Sequence, residues 1–161
     1  MSHIATIEIE VKDLNALEAA AKDLGLVLKR DQETFRWYGT PVGNQTLPVG
    51  FRTADYGKCD HAIGFSTDEC RPFPGLQDRY NHLPYEIGVC RRRDGKPGYV
   101  LLWDPFLGGF GLESAVGKNA VKLTQRYAVQ VAKRHMAGAH CHEIVRDDGS
   151  IRLEFTRQGG F

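Results

Sequence analysis

The sequence has no excess of charge of either sign. Its 161 residues include 21 lysines and arginines and 20 aspartates and glutamates. A chain with this balance has no overall field that would attract nucleic acid or an anionic membrane. It also has no long apolar run and no basic segment followed by an apolar one at its start. We therefore expect a cytoplasmic protein that spans no membrane and whose partner is not nucleic acid.

Cysteine is scarce, and its four copies are widely spaced. They lie at positions 59, 70, 90 and 141, with no Cys-x-x-Cys pair. Without such a pair or a secretion signal, reduced thiols are expected rather than disulfides. The hydrophobic fraction of 42% and the charged fraction of 25% are ordinary for a globular protein. At this length, residues 1–161 are predicted to form one domain with its own core.

Two stretches have the periodicity of amphipathic helices. The first follows Asp13, a residue type that caps helix N-termini, and it ends at Gly25. The second covers about twenty residues and ends at Gly138. Its predicted buried stripe consists of Leu123, Tyr127 and Val131.

The other regular stretches predict short strands. Residues 4–11, "IATIEIEV", alternate between apolar and polar side chains, and "LVLKR" follows the first helix. Two further stretches read as β-hairpins that turn at Asp94-Gly95 and at Asp148-Gly149. Residues 66–84 contain three of the seven prolines and predict a long inserted loop, exposed or mobile.

This order of elements predicts an α+β fold. We expect a mainly antiparallel sheet with two helices packed on one face. The topology that fits best is ferredoxin-like, with an added hairpin and the long inserted loop.

Several segments together resemble a known family. They are "MSHIATIEIEVKDLNALEAAAKDLG", "FRWYG", "GKCDHAI", "YEIGV" and "LTQRYAVQVAKR" followed by "DDGSIRLEF". The resemblance is to the family of hypothetical chloroplast reading frame thirty-five, also known as domain of unknown function twelve fifty-seven, and it spans nearly the whole chain. It implies a plastid, cyanobacterial, bacterial or bacteriophage setting. It implies no activity, because the family has none assigned, and residues 66–84 are longer than the family pattern requires.

The tripeptide Cys59-Asp60-His61 combines a thiol, a carboxylate and an imidazole. In a strand, Cys59 and His61 share the apolar face and Asp60 points to the other side. Both apolar-face residues are then structural, which is the interpretation we favour. A Cys-His nucleophile pair needs this stretch to be a loop, because Asp60 cannot orient His61 from the opposite face.

A metal site is a further alternative. The segment "HCHE" places His140 and His142 on one face of a predicted strand, and Cys59 with His61 could complete a tetrahedral set. The spacing matches no zinc motif, however. We therefore expect no metal and no other cofactor.

The opposite face of the predicted sheet carries unusually small residues, among them Ala62, Gly64 and Gly88. A glycine in the middle of a strand often marks the close approach of another backbone or of a ligand. We expect this face to be covered either by residues 66–84 or by a partner. The candidate ligand-binding residues are Asp60, Glu86, Arg36 and Tyr38.

The functional hypothesis is a small binding module for a protein partner or a small polar ligand. In a phage, it would act as an accessory or host-interference protein, in the bacterial cytosol or the infected host. The sequence is also compatible with assembly into a homo-oligomer. The alternative is a Cys-His or metal-dependent enzyme centred on Cys59 and His61.

Overall fold

A computed structural model describes residues 4–40, 46–67 and 83–159. Five antiparallel strands form one sheet in the order β1-β5-β4-β3-β2. They are β1 (Ala5–Val11), β2 (Val27–Arg30), β3 (His61–Gly64), β4 (Ile87–Arg91) and β5 (Tyr99–Trp103). The helices are α1 (Leu14–Asp23), α2 (Leu112–Val116) and α3 (Val121–His135), and a separate hairpin consists of β6 (His140–Val145) and β7 (Ile151–Thr156).

The predicted α+β class with a mainly antiparallel sheet is confirmed. The ferredoxin-like topology is not, since β1 lies at an edge of the sheet and pairs with β5. Both predicted hairpins form, but the second makes a sheet of its own instead of joining the first. The loop predicted over residues 66–84 lies mostly outside the described residues. In the described part of the chain, no helix has the length and apolar character needed to cross a membrane.

Helix α1 begins where the sequence predicts. The Asp13 carboxylate caps it by accepting the backbone N–H of Ala16 at 3.0 Å. Its inner face is alanine-rich around Leu17, and these residues are fully buried. Small side chains let the helix lie close to its neighbours, and α1 packs extensively against α3.

Helix α3 closes the core over the sheet. Leu123 and Tyr127 are buried in the same cluster as the sheet residues Ile7, Val89 and Leu101. The Tyr127 hydroxyl also accepts the backbone N–H groups at the end of β1, from residues 12 and 13, at 3.0 and 3.2 Å. The helix has 15 residues, fewer than predicted, because Asn119 and Ala120 before it have positive φ and the chain leaves the helical conformation at Met136.

The other face of the sheet is covered by the chain that follows β2. Phe35 is 3% exposed and packs with Ala62, Cys90 and Leu102. Its ring lies directly on Gly88, where a Cβ would come within 2.4 Å of it. Trp37, Phe51 and Tyr56 pack around this second cluster. Among the described residues, this face is covered by Phe35 and its neighbours, which were not predicted to cover it, and Gly88 does mark a close approach.

The link between β5 and α2 contains a left-handed turn. Leu107, Gly108, Gly109 and Phe110 have φ values of 48°, 63°, 62° and 53°. Glycine adopts this conformation freely, whereas other residues are strained in it. The buried Phe110 ring meets Tyr85 edge-on at 5.0 Å, and this packing compensates for the strain.

The β6–β7 hairpin is attached to the helices through charged groups. The Arg126 guanidinium bonds Asp23 at the end of α1 at 3.0 Å and Glu143 on β6 at 2.9 Å. Lys133 donates a further hydrogen bond to Glu143. These hydrogen bonds lower the pKa of Glu143 to about 2, and the bond from Arg126 has the largest effect.

Gly88→Ala tests the packing of the second face. The added methyl group overlaps the Phe35 ring, so we expect a loss of about 1–3 kcal/mol in the free energy of unfolding. Gly159→Ala is the control, because a Cβ there meets nothing within 4 Å. Chemical denaturation measures both, and equal stability of the two variants would contradict the packing.

Glu143→Gln tests the charged attachment of the hairpin. The pKa of Glu143 is lowered from 4.5 to about 2, so its ionised form stabilises the fold above pH 4.5 and this contribution disappears as the pH falls towards 2. Since the side chain is 25% exposed, we expect a loss of about 1–2 kcal/mol at neutral pH.

The acid sensitivity of stability between these pH values should also be smaller in Glu143→Gln. Glu154→Gln, on the exposed face of β7, is the matched control. Unfolding curves over this pH range that coincide for Glu143→Gln and the unchanged protein would contradict the argument.

Candidate functional site

A cleft opens where β2 ends and β3 begins. It has a volume of about 480 Å³. It contains all three residues of the tripeptide singled out in the sequence, together with charged residues from the neighbouring segments. The lining consists of Asp31, Glu33, Thr34, Lys58, Cys59, Asp60, His61 and Arg91.

His61 is the most buried polar residue of this cleft, at 6% exposure. Its Nδ1 accepts the backbone N–H of Asp31 at 3.0 Å. The neutral imidazole therefore carries its proton on Nε2, since Nδ1 is an acceptor. The Nε2 atom is buried and has no hydrogen-bond partner among the described residues. The ring lies 5.7 Å from that of Tyr99.

Cys59 is held by the segment that follows β2. Its backbone N–H donates to Glu33 O at 2.9 Å, and its thiol donates to Gln32 O at 3.0 Å. The thiol thus bonds a carbonyl instead of the His61 imidazole. Burial raises the pKa of Cys59 to about 12, which keeps the thiol protonated at neutral pH.

The predicted alternation along residues 59–65 is wrong at its first residue. Cys59 packs against the second cluster, whereas Ile63 belongs to the helix-side core. The regular strand starts only at His61. Cys59 precedes it and bonds to the chain after β2, so the two-residue period does not extend back to it.

Asp60 supports the end of the neighbouring strand. Its carboxylate accepts the backbone N–H of Arg91 at 2.7 Å, and its own N–H donates to Val89 O at 3.0 Å. The side chain is 44% exposed, and the Arg91 side chain approaches it at 4.0 Å. Asp60 therefore lines the cleft, with one carboxylate oxygen already bonded.

Glu86, predicted to bind a ligand, is internally bonded. Its carboxylate is buried and pairs with Lys29 Nζ at 2.9 Å. It also accepts Gln32 Nε2 at 3.1 Å and the backbone N–H of Arg36 at 3.0 Å. These bonds fix the segment after β2 to the sheet. Glu86 is not among the residues that line the cleft.

The last two candidate ligand residues lie on the covering segment. The Arg36 guanidinium donates to Pro84 O at 2.8 Å. Tyr38 is 50% exposed, and its ring meets Phe106 edge-on at 5.6 Å. Neither lines the cleft. Of the four predicted ligand-binding residues, Asp60 alone lines it, whereas Glu86 and Arg36 contact each other elsewhere.

The proposed metal set is not assembled. His140 and His142 lie exposed on β6, which belongs to the separate hairpin. Residues 4–40, 46–67 and 83–159 contain no group of three or more His, Cys, Asp or Glu side chains arranged to hold a metal ion.

The arginines at the turn after β4 form ion pairs within the protein. Arg92 pairs with Asp94, and Arg93 pairs with Asp55 at 2.8 Å. The Arg93 guanidinium also lies 4.3 Å from the centre of the Phe51 ring. All three arginines therefore have a carboxylate partner, although Arg91 lies 4.0 Å from Asp60.

The charged residues of the cleft rim are not among the site residues predicted from the sequence. Asp31 and Glu33 follow β2 directly, and Lys58 precedes the tripeptide. Backbone pairing between Thr34 and Lys58 brings these segments together. The apolar Phe35 follows six polar residues, 29–34, and this contrast indicates a docked segment without identifying what it docks against.

Comparisons of the chain with models of protein families, with curated proteins and with solved structures gave no match. The function of the cleft must therefore be inferred from its own chemistry.

Cys59 should be alkylated slowly by iodoacetamide in the native protein at neutral pH. The reactive species is the thiolate, and a pKa of about 12 leaves almost none of it. Peptide mass spectrometry compares native protein with protein in denaturant, where Cys59 should react at an ordinary rate. Fast native alkylation that His61→Ala abolishes would show a nucleophile pair instead.

Proposed function

We propose that the protein is a binding module whose cleft holds a small polar ligand with both a positive and a negative group. The observation that carries the proposal is the charge pattern of the rim. Carboxylates of Asp31 and Glu33 and the cations of Lys58 and Arg91 surround one opening.

The rim groups are accessible to a ligand. The Asp31 side chain is 94% exposed and that of Arg91 is 73% exposed. Glu33 and Lys58 are exposed as well. A zwitterion of amino-acid size could bring its carboxylate to the cations and its ammonium group to the carboxylates. Such paired contacts provide orientation and specificity, as in other small-molecule sites.

The floor of the cleft supports binding more than catalysis. The Cys59 thiol is protonated and donates to Gln32 O, and Nδ1 of His61 is occupied by the Asp31 N–H. A nucleophile needs a free thiolate or a base beside the thiol. The enzyme alternative, centred on Cys59 and His61, would require both bonds to break.

The proposed cellular location rests on the sequence and not on the geometry of the cleft. We infer a cytoplasmic role in a bacterium or a phage-infected host from the resemblance to the chloroplast reading frame family. A binding module without an activity of its own accords with that resemblance.

A thermal-shift screen tests the proposed ligand class. The probes are the natural amino acids, matched simple carboxylates and matched simple amines. A ligand that binds only the folded state stabilises it, by about 2.7 kcal/mol at one hundred times its Kd. We expect at least one amino acid to raise the Tm by several degrees, with smaller effects of the singly charged compounds.

Arg91→Ala and Glu33→Ala should each reduce that shift. Lys118→Ala is the control, because Lys118 is exposed and does not line the cleft. A screen in which no amino acid shifts the Tm, or a shift that both cleft variants retain, would overturn the proposal.

A further inference from the structure

Strand β1 forms an edge of the five-stranded sheet. It pairs with β5 on one side, and in the described part of the chain no strand pairs with its other side. An unpaired edge presents a row of backbone N–H and C=O groups, and these are best satisfied by another extended backbone.

A groove runs beside this edge, between the last residues of β1 and helix α3. Its volume is about 530 Å³. The strand side is formed by Ile9, Glu10, Lys12 and Asp13, and the helix side is mostly apolar. The helix contributes Thr124, Tyr127, Ala128, Val131, Ala132 and His135.

The helix wall leaves room for a further strand because its side chains are small. Thr124, Ala128 and Ala132 recur at intervals of four residues, which places them on one face of α3. Ala128, in the middle of this row of small residues, is exposed to solvent. An extended chain between β1 and α3 would therefore meet backbone on one side and apolar surface on the other.

The exposed carboxylates of β1 determine which side chains an added strand should carry on the face away from the helices. Ile7, Ile9 and Val11 face the helices, whereas Glu8 and Glu10 alternate with them and are exposed. Glu10 has cationic neighbours in Lys12 at 3.2 Å and Arg92 at 3.8 Å. Glu8 has no ion-pair partner among the described residues. A strand added beside β1 would place alternate side chains next to these carboxylates, and opposite charges in such cross-strand pairs are stabilising.

We propose that this groove binds an extended peptide segment of a partner protein, in which apolar residues alternate with lysine or arginine. Its backbone pairs with β1, its apolar side chains lie against α3, and its basic side chains lie beside Glu8 and Glu10. The register shift between Ile7 and Val11 interrupts the regular ladder, so the bound segment is short.

A second copy of the chain fits the groove poorly. If two β1 strands paired antiparallel with the helices of both copies on one side of the joint sheet, the glutamates of one copy would lie next to those of the other. Like charges at opposing positions destabilise a strand pair. A basic partner strand has no such repulsion.

Fluorescence anisotropy with a labelled synthetic peptide tests the proposal. The probe has about seven residues, with valine alternating with lysine, long enough for one added strand. We expect saturable binding to the full chain. A peptide with glutamate in place of lysine, and a lysine peptide N-methylated on alternate backbone nitrogens, should each bind at least about tenfold more weakly.

Two variants locate the binding in the groove. Ala128→Trp fills the space against α3, and Glu8→Lys reverses the charge beside β1; each should weaken the valine–lysine peptide at least about tenfold. Lys122→Trp on the same helix and Asp147→Lys in the β6–β7 turn are matched controls, because both positions are exposed and outside the groove.

Three results would overturn the proposal. The first is the absence of saturable binding, and the second is binding that Ala128→Trp and Glu8→Lys leave unchanged. The third is a dimer in light scattering that Ala128→Trp dissociates, since the groove would then belong to a second copy. The ligand screen at the Asp31–Arg91 cleft is independent of all three.

Discussion

The buried carboxylate of Glu86 holds the segment after β2 against the sheet. It bonds Lys29 from β2, the side chain of Gln32 and the backbone of Arg36. A buried charge is stable only when it is paired and hydrogen-bonded, and Glu86 has both kinds of partner. The position of Phe35, between Gln32 and Arg36 in the chain, follows from these bonds.

The candidate cleft depends on the same segment. Cys59 is bonded to the carbonyl groups of Gln32 and Glu33, and His61 accepts the N–H of Asp31. The tripeptide in the sequence thus acquires its geometry from residues almost thirty positions earlier. Its thiol and imidazole are used to anchor that segment, and the exposed charges beside them remain available to a ligand.

Local patterns predicted the elements better than their arrangement. Asp13 and Gly25 delimit α1, and the Asp94-Gly95 and Asp148-Gly149 turns form hairpins, because capping and turn chemistry act between near neighbours. The strand order, the cover of the second face and the bonds of Glu86 join distant residues, and no short-range pattern encodes them. Gly88 signalled a close approach, but only the structure identifies Phe35 as the group that approaches.

The left-handed turn at Leu107–Phe110 has a consequence for the order of folding. Its backbone is unfavourable locally, so the unfolded chain rarely samples it, and it becomes stable only when Phe110 can pack against Tyr85. The turn therefore forms together with the contact between Phe110 and Tyr85 and not ahead of it.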